Sequence, residues 1–244
     1  MQTLIKYISA YLDCRNDLKK LKKQKGQDSL FPFAKNRLIL NEKFSDSGIA
    51  SGHYFHQDLL VARKIFQNNP QKHVDIGSRT DGFVAHVAAF REIEVFDIRT
   101  QNKKIKNIIF KKADLTELPN NLIDYTDSIS SLHAIEHFGL GRYNDAIDYW
   151  GYLKAIENIT KILKSGGRFY FSTPIGKQRI EFNAHRVFAV EYLLELFKAN
   201  YTLSTFSYVN DEGDLFENIE LNEEEIKRNL GCTYGCGIFE LIKK

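Results

Sequence analysis

The chain has 244 residues, of which 43% are apolar and 27% charged. With only 4 prolines and 15 glycines, that composition excludes disordered, collagen-like and low-complexity classes and suits one large globular domain with or without an added segment. The 34 basic and 31 acidic residues leave a net charge of +3, too even to argue for a nucleic acid as partner.

Taken in order, residues 2–23 read as a helix, because Leu4, Ile8, Tyr11, Cys14, Leu18 and Leu21 recur at gaps of three and four and form one stripe. The first 26 residues carry seven Lys and Arg against Asp13 and Asp17, so the segment is basic and the rest of the chain slightly acidic. The stripe needs covering, by the chain itself or by a second copy, and a homodimer through this helix is the partner it suggests. The basic face also suits a membrane surface. No run approaches the roughly 18 consecutive apolar residues of a spanning helix. The first residues, Met1-Gln2-Thr3, lack a basic secretory lead-in. Cys14, Cys232 and Cys236 are too few for a disulfide framework, and the spacing of the last two does not suit a zinc knuckle; a reducing, cytoplasmic compartment and no metal are expected. Residues 1–52 are therefore read as a helical and irregular extension, with a short strand-like piece at Arg37–Leu40, and residues 53–244 as the main domain.

From residue 55 short apolar strands alternate with amphipathic helices. The helix around Leu59–Phe66 precedes a strand at Val74–Ile76 that ends in Gly77. A helix at Phe83–Phe90 leads to strands at Ile93–Asp97, Ile105–Phe110 and Ser128–Leu132. A helix over 153–163, closed by Ser165-Gly166-Gly167, is followed by a fifth strand, Arg168–Thr173, stopped by Pro174. A helix at Val190–Phe197 and strands at Tyr201–Val209 and Gly237–Ile242 complete an α/β pattern of seven strands. Such alternation predicts a doubly wound, mostly parallel sheet.

Ligands of doubly wound sheets bind beyond the carboxyl ends of the strands, which directs attention to Asp75-Ile76-Gly77-Ser78-Arg79-Thr80-Asp81-Gly82, to Asp97-Ile98-Arg99 and to Asp114-Leu115. An acid ending the second strand, 22 positions after Asp75, stands where a ribose diol could donate to it. A Gly-x-Gly-x-x-Gly dinucleotide fingerprint is absent from residues 75–82.

The order of these pieces resembles a class I S-adenosylmethionine-dependent methyltransferase over residues 55–242. LKSGGRFYFSTP (163–174) resembles the family's helix, glycine turn and fifth strand, and SLHAIEH (131–137) its fourth-strand end. HYFHQDLLVA (53–62), HVDIGSRTDGFVAHVAAF (73–90), LHAIEHFGLGRY (132–143), FNAHRVF (182–188) and YGCGIFE (234–240) are similar to blocks of a subgroup known mainly as a domain of unknown function. The resemblance implies S-adenosylmethionine as cofactor, held by Asp75, Gly77, Ser78, Arg79, Gly82, Asp97, Ile98, Arg99, Asp114 and Leu115. The glycine loop departs from the family's Asp-x-Gly-x-Gly-x-Gly, since Arg79 and Asp81 stand at the second and third glycine places. A side chain at position 79 would crowd or cap the cofactor.

His133, Glu136 and His137 are the catalytic candidates, because an oxygen or nitrogen acceptor must lose its proton and imidazole titrates near neutrality. The same residues spell His-x-x-Glu-His, an inverted zinc-protease string, but the first histidine closes a strand, which argues against that reading. His53, Tyr54, His56, Arg142, Tyr143, His185 and Arg186 are candidates for an acceptor pocket, the arginines for an anionic group. The expected activity is methyl transfer to a small acceptor of glycan or secondary metabolism. A non-catalytic partner of the same fold and an enzyme of sugar-nucleotide metabolism remain the alternatives.

Overall fold

The computed structural model describes residues 2–117 and 122–244. It divides into two compact units, Met1–Ala50 and Ser51–Lys244. In the first, the basic segment forms helix α1, Gln2–Lys25, whose last turn holds Lys22, Lys23 and Lys25, where cations meet the negative end of the helix dipole. Of its apolar stripe, Leu4, Ile8, Tyr11 and Leu21 are exposed. Arg37–Leu40 forms no strand, since no second extended segment in this unit pairs with it. Among the described residues no helix is long and apolar enough to cross a membrane.

The second unit runs α2 (His53–Asn68), β1 (His73–Ile76), α3 (Ala85–Ala88), β2 (Ile93–Asp97), β3 (Ile108–Lys112), β4 (Thr126–Leu132), α4 (Gly151–Ile162), β5 (Leu163–Ile175), β6 (Arg179–Glu181), β7 (His185–Val187), α5 (Val190–Lys198), β8 (Tyr201–Val209), β9 (Leu215–Phe216), α6 (Glu223–Lys227) and β10 (Gly235–Lys243). The main sheet has the order β3-β2-β1-β4-β5-β10-β8-β9. Strands β1 to β5 pair in parallel, and β10 lies antiparallel between β5 and β8. The doubly wound, mostly parallel sheet is thus present, with the two-residue β9 as an eighth strand at its edge. Strand order reverses between β1 and β4, which opens a crevice at their carboxyl ends.

Every residue of β1 and β2 is buried, as covering a parallel sheet on both faces requires. On one face Leu60, Val61 and Ile65 of α2 and Val87 of α3 pack on Val95, Tyr170 and Ile238. On the other, Ile156 and Ile159 of α4 and Leu193 and Phe197 of α5 pack on Val74, Phe96, Ile129 and Phe169. A polar seam threads between β1 and β4, where His73 stands opposite Ser128 and Asp75 opposite Ser130. The His73 ring nitrogens lie 2.8 Å from Ser128 Oγ and 3.1 Å from Ser130 Oγ. Burial pushes that imidazole down to about 3, so it serves the seam neutral.

Three expected boundaries move. The glycines at 166 and 167 do not cap α4: Thr126 pairs with Leu163 and Ser128 with Arg168, so residues 164–167 form a bulge inside β5. Buried Leu163 draws the strand back past the glycines, and β5 also runs through Pro174 to Ile175. The third strand starts at Ile108 because Asn107, at φ 65°, turns the chain just before it. The helix expected at 83–90 is a wide turn, Thr80–Val84, followed by the single turn of α3.

Candidate active site

The ends of β1 to β4 enclose a cleft of about 560 Å³ lined by Gly77, Asp97, Ile98, Arg99, Asp114, Leu115, His133, His137, Gly139 and Tyr143, among others.

At the end of β1, Gly77 has φ 72°, and a Cβ there would come 3.0 Å from the Ala134 Cβ. The position therefore brings bare backbone to the cleft wall. Asp75, expected to meet the cofactor, does not line the cleft. It is fully buried and accepts hydrogen bonds from Ser78 N (3.0 Å), Ser78 Oγ (2.6 Å) and Ser130 Oγ (2.6 Å). Burial pushes its carboxyl up to about 6. Ser78 Oγ in turn accepts from Leu132 N at 3.1 Å, so Asp75 and Ser78 tie the glycine loop to β4 from behind.

Arg79 neither caps nor crowds the cleft. Its guanidinium forks onto Asp81 at 3.1 and 2.9 Å and lies 5.1 Å from the Tyr54 ring, outside the cleft lining. The two residues that replace family glycines thus satisfy each other. Gly82 is also absent from the lining; a Cβ there would sit 2.5 Å from Asp58 Oδ2, so its role is to let α2 approach.

At the end of β2, buried Asp97 accepts from Arg99 N (2.8 Å) and Arg99 Nε (3.0 Å) on Oδ1, and from the guanidinium on Oδ2 (2.7 Å). Arg99 stacks 4.4 Å from the Tyr143 ring. Asp114 holds its own turn, accepting from Thr116 N (2.9 Å) and Oγ1 (2.7 Å).

At the end of β4, His133 takes the left-handed conformation, φ 49°, which for a non-glycine residue costs of order 1 kcal/mol and recurs at functional sites. The turn Ile135–His137 follows and swings Glu136 back, with its Oε1 2.8 Å from His133 Nδ1. Both groups are buried. Burial opposes charging His133, but Cys236 and Glu136 together hold its imidazole well above the ordinary value. The Glu136 carboxyl, although burial raises it, is drawn below its usual range by His133. His137 differs, because burial lowers it. Its Nδ1 donates to the Ala184 carbonyl at 2.6 Å, which leaves Nε2 as the proton-accepting atom. The two histidines use different turns and partners, so the His-x-x-Glu-His string does not form a helical metal motif.

A second group of rings adjoins His133. His53, the first residue of α2, stacks on it at 5.2 Å and 6°; Tyr54 lies 5.2 Å away. Tyr234 stands 5.4 Å from His53 and 5.1 Å from His185, and His185 is 6.4 Å from the His137 ring. His53, Tyr54, His133, His137 and His185 therefore belong to one cluster. His56 does not, as its ring packs on Phe55 instead. Arg142 donates to the Ala184 carbonyl at 3.0 Å beside His137. Arg186 does not line the cleft. It is buried, donates to the Glu136, Phe138 and Tyr149 carbonyls at 3.3, 2.7 and 3.1 Å, and so clips the 136–149 loop in place. Tyr234 and Cys236 join the cluster unforeseen. Because β10 is antiparallel, its first residues meet the end of β5, with Gly235 opposite Ile175, a placement that only strand direction reveals.

A strand order of 3-2-1-4-5 followed by an antiparallel hairpin, with a cleft over β1 to β4, defines a class I methyltransferase-like fold. The family described as "Caenorhabditis protein of unknown function, DUF268" matches residues 82–234, and the chain belongs to that family. No curated protein matches the sequence. Among solved structures, it is similar to the [4+2]-cyclase SpnF (14% identity, 77% of this chain and 80% of that one, TM-score 0.54). It is also similar to the 1,6-didemethyltoxoflavin-N1-methyltransferase of Burkholderia thailandensis, crystallised with S-adenosylhomocysteine (12%, 77% and 78%, TM-score 0.52). A third is the N-methyltransferase NodS of Bradyrhizobium japonicum WM9 in complex with S-adenosylhomocysteine (12%, 92% and 97%, TM-score 0.51). At such identities the likeness shows the fold.

Proposed function

We propose that the protein is an S-adenosylmethionine-dependent methyltransferase acting on an oxygen or nitrogen of a small acceptor. The observation that carries this reading is the cleft itself, which gathers bare backbone at Gly77, an acid at Asp97, an acid at Asp114 and an imidazole at His137 in the strand-end order of a nucleoside-binding sheet. Gly77 fits the cofactor, since its φ of 72° brings backbone without a side chain to the cleft wall, where a Cβ would press on Ala134.

When bound, S-adenosylmethionine supplies an electrophilic methyl group. Asp97 would accept from its ribose hydroxyls, sharing its oxygens with Arg99, and the Asp114 turn with Leu115 would wall the base. His137 Nε2 accepts the acceptor's proton, because Nδ1 is committed to Ala184 and burial keeps the ring neutral. His133, its Nδ1 tied to Glu136, orients rather than accepts. Arg142, beside His137, is the cation placed to receive an anionic group on the acceptor.

One observation favours a second reading, in which the fold serves other chemistry or none: Asp97 already holds Arg99 through three hydrogen bonds. The likeness to a cyclase agrees with the rule that this fold does not dictate the reaction. Calorimetric titration with S-adenosylhomocysteine separates the two. Micromolar binding supports the methyltransferase, and no binding by the folded chain overturns it.

A further inference from the structure

Three residues far apart in sequence meet beside the cleft: His53 at the start of α2, His133 after β4 and Cys236 in β10. One donor atom from each lies within 4.8 Å of the other two. We propose that these three side chains bind a divalent transition metal, zinc(II) above all, with the fourth coordination position open.

A tetrahedral zinc with bonds of about 2.0–2.3 Å holds its donor atoms roughly 3.3–3.8 Å apart, so rotations of about an ångström close the set. Two imidazoles and one thiolate match zinc's borderline softness, and three protein ligands with a vacant fourth place is the pattern of catalytic rather than structural zinc.

Independent features point to a ligand. His133 Nε2 is buried and has no hydrogen-bond partner among the described residues, an exception in a folded protein that needs a reason. Its other nitrogen faces the Glu136 carboxylate at 2.8 Å, the carboxylate–histidine arrangement that fixes the tautomer of a metal-bound imidazole. The strained backbone of His133 is pinned by its N–H, which donates to the Ser172 carbonyl at 3.1 Å. Ser172 Oγ donates to Gln57 Oε1 at 2.6 Å, and the Cys236 thiol points at the same oxygen at 3.6 Å. Gln57 thus positions the sulfur, and the shell around the three donors is already built.

His133 also lines the cleft, so the metal borders the place where the acceptor would lie. Resting on the methyltransferase reading, the open position would hold the acceptor's nucleophilic atom as an anion, with the released proton passing to His137.

The test uses the full chain, purified without chelator and with any affinity tag removed. Elemental analysis should find one zinc per chain. Cobalt(II), titrated into chelator-stripped protein, should give tetrahedral ligand-field bands and a thiolate-to-cobalt charge-transfer band. Cys236→Ser should abolish the charge-transfer band, and His53→Ala should weaken zinc binding by at least tenfold. Glu136→Gln should weaken it about tenfold without changing the spectrum. Because Cys236 is fully buried and His53 only partly, His53→Ala decides the matter if the serine variant does not fold. Failure of the folded wild type to take up stoichiometric metal, or uptake unchanged by His53→Ala, overturns the site. S-adenosylhomocysteine titration of the same samples keeps this outcome separate from that of the methyltransferase reading.

Discussion

Replacing Asp97 by alanine tests the cofactor assignment most directly, because two effects of that change differ in size. In the ligand-free protein the carboxylate loses only its partnership with Arg99; Asp97 is buried but the Arg99 side chain is 51% exposed, and such a half-buried pair contributes about 1 kcal/mol. In the complex the change removes hydrogen bonds from ribose hydroxyls to a charged acceptor, worth about 1.5–3 kcal/mol, or roughly 10- to 150-fold in Kd. Calorimetry with S-adenosylhomocysteine should therefore show a large loss of affinity, while thermal unfolding without ligand changes little. Arg99→Ala is the companion, since it frees the Asp97 lone pairs that the Arg99 side chain now fills and keeps only the bond from the backbone N–H. It should leave affinity within a few-fold of wild type or tighten it. A folded Asp97→Ala protein that binds as well as wild type would refute the reasoning. So would Arg99→Ala weakening binding as much as Asp97→Ala, because Asp97 would then matter only as the anchor of Arg99.

Four further outcomes follow from the same geometry. Asp75, raised to about 6 in the folded chain against about 4 unfolded, binds its proton more tightly when folded; its contribution is complete below pH 4 and disappears as pH rises through 6. Chemical denaturation should show wild type losing about 2 kcal/mol relative to Asp75→Asn between pH 4 and 7, and parallel pH curves would disprove it. Arg186→Met leaves three carbonyls of the 136–149 loop without their donor and should cost at least about 2 kcal/mol in denaturant unfolding, whereas a surface substrate residue would cost almost nothing. Arg79→Gly removes an exposed pair with Asp81 and a contact with the Tyr54 ring, both through a residue outside the cleft lining, so affinity for S-adenosylhomocysteine should stay within about threefold, a shift of well under 1 kcal/mol. Gly139→Ala forces a Cβ to 1.9 Å from the Asp148 carbonyl oxygen at φ 77° and should lower stability by more than about 2 kcal/mol, visible as a clear drop in Tm.

The alternation of short apolar strands with amphipathic helices was enough to read the sheet and its winding, because burial on both faces of a parallel strand leaves a continuous apolar run in the sequence. Strand-end chemistry was legible for the same reason: Gly77, Asp97, Asp114 and His133 each follow directly on such a run, and all four line the cleft. Local sequence does not record which way a polar side chain turns once the strands pair. Asp75 turned into the seam because Ser130 stands opposite it on β4, and Arg186 turned to backbone carbonyls contributed by a loop 37 to 50 positions earlier. The glycines after α4 read as a helix cap and became a bulge, because pairing with β4 outweighed a local turn preference. The His53–His133–Cys236 cluster depended wholly on tertiary structure. Its members lie at the start of a helix, after a parallel strand and near the start of an antiparallel one, and only the reversed direction of β10 brings its first residues to the carboxyl ends of the others.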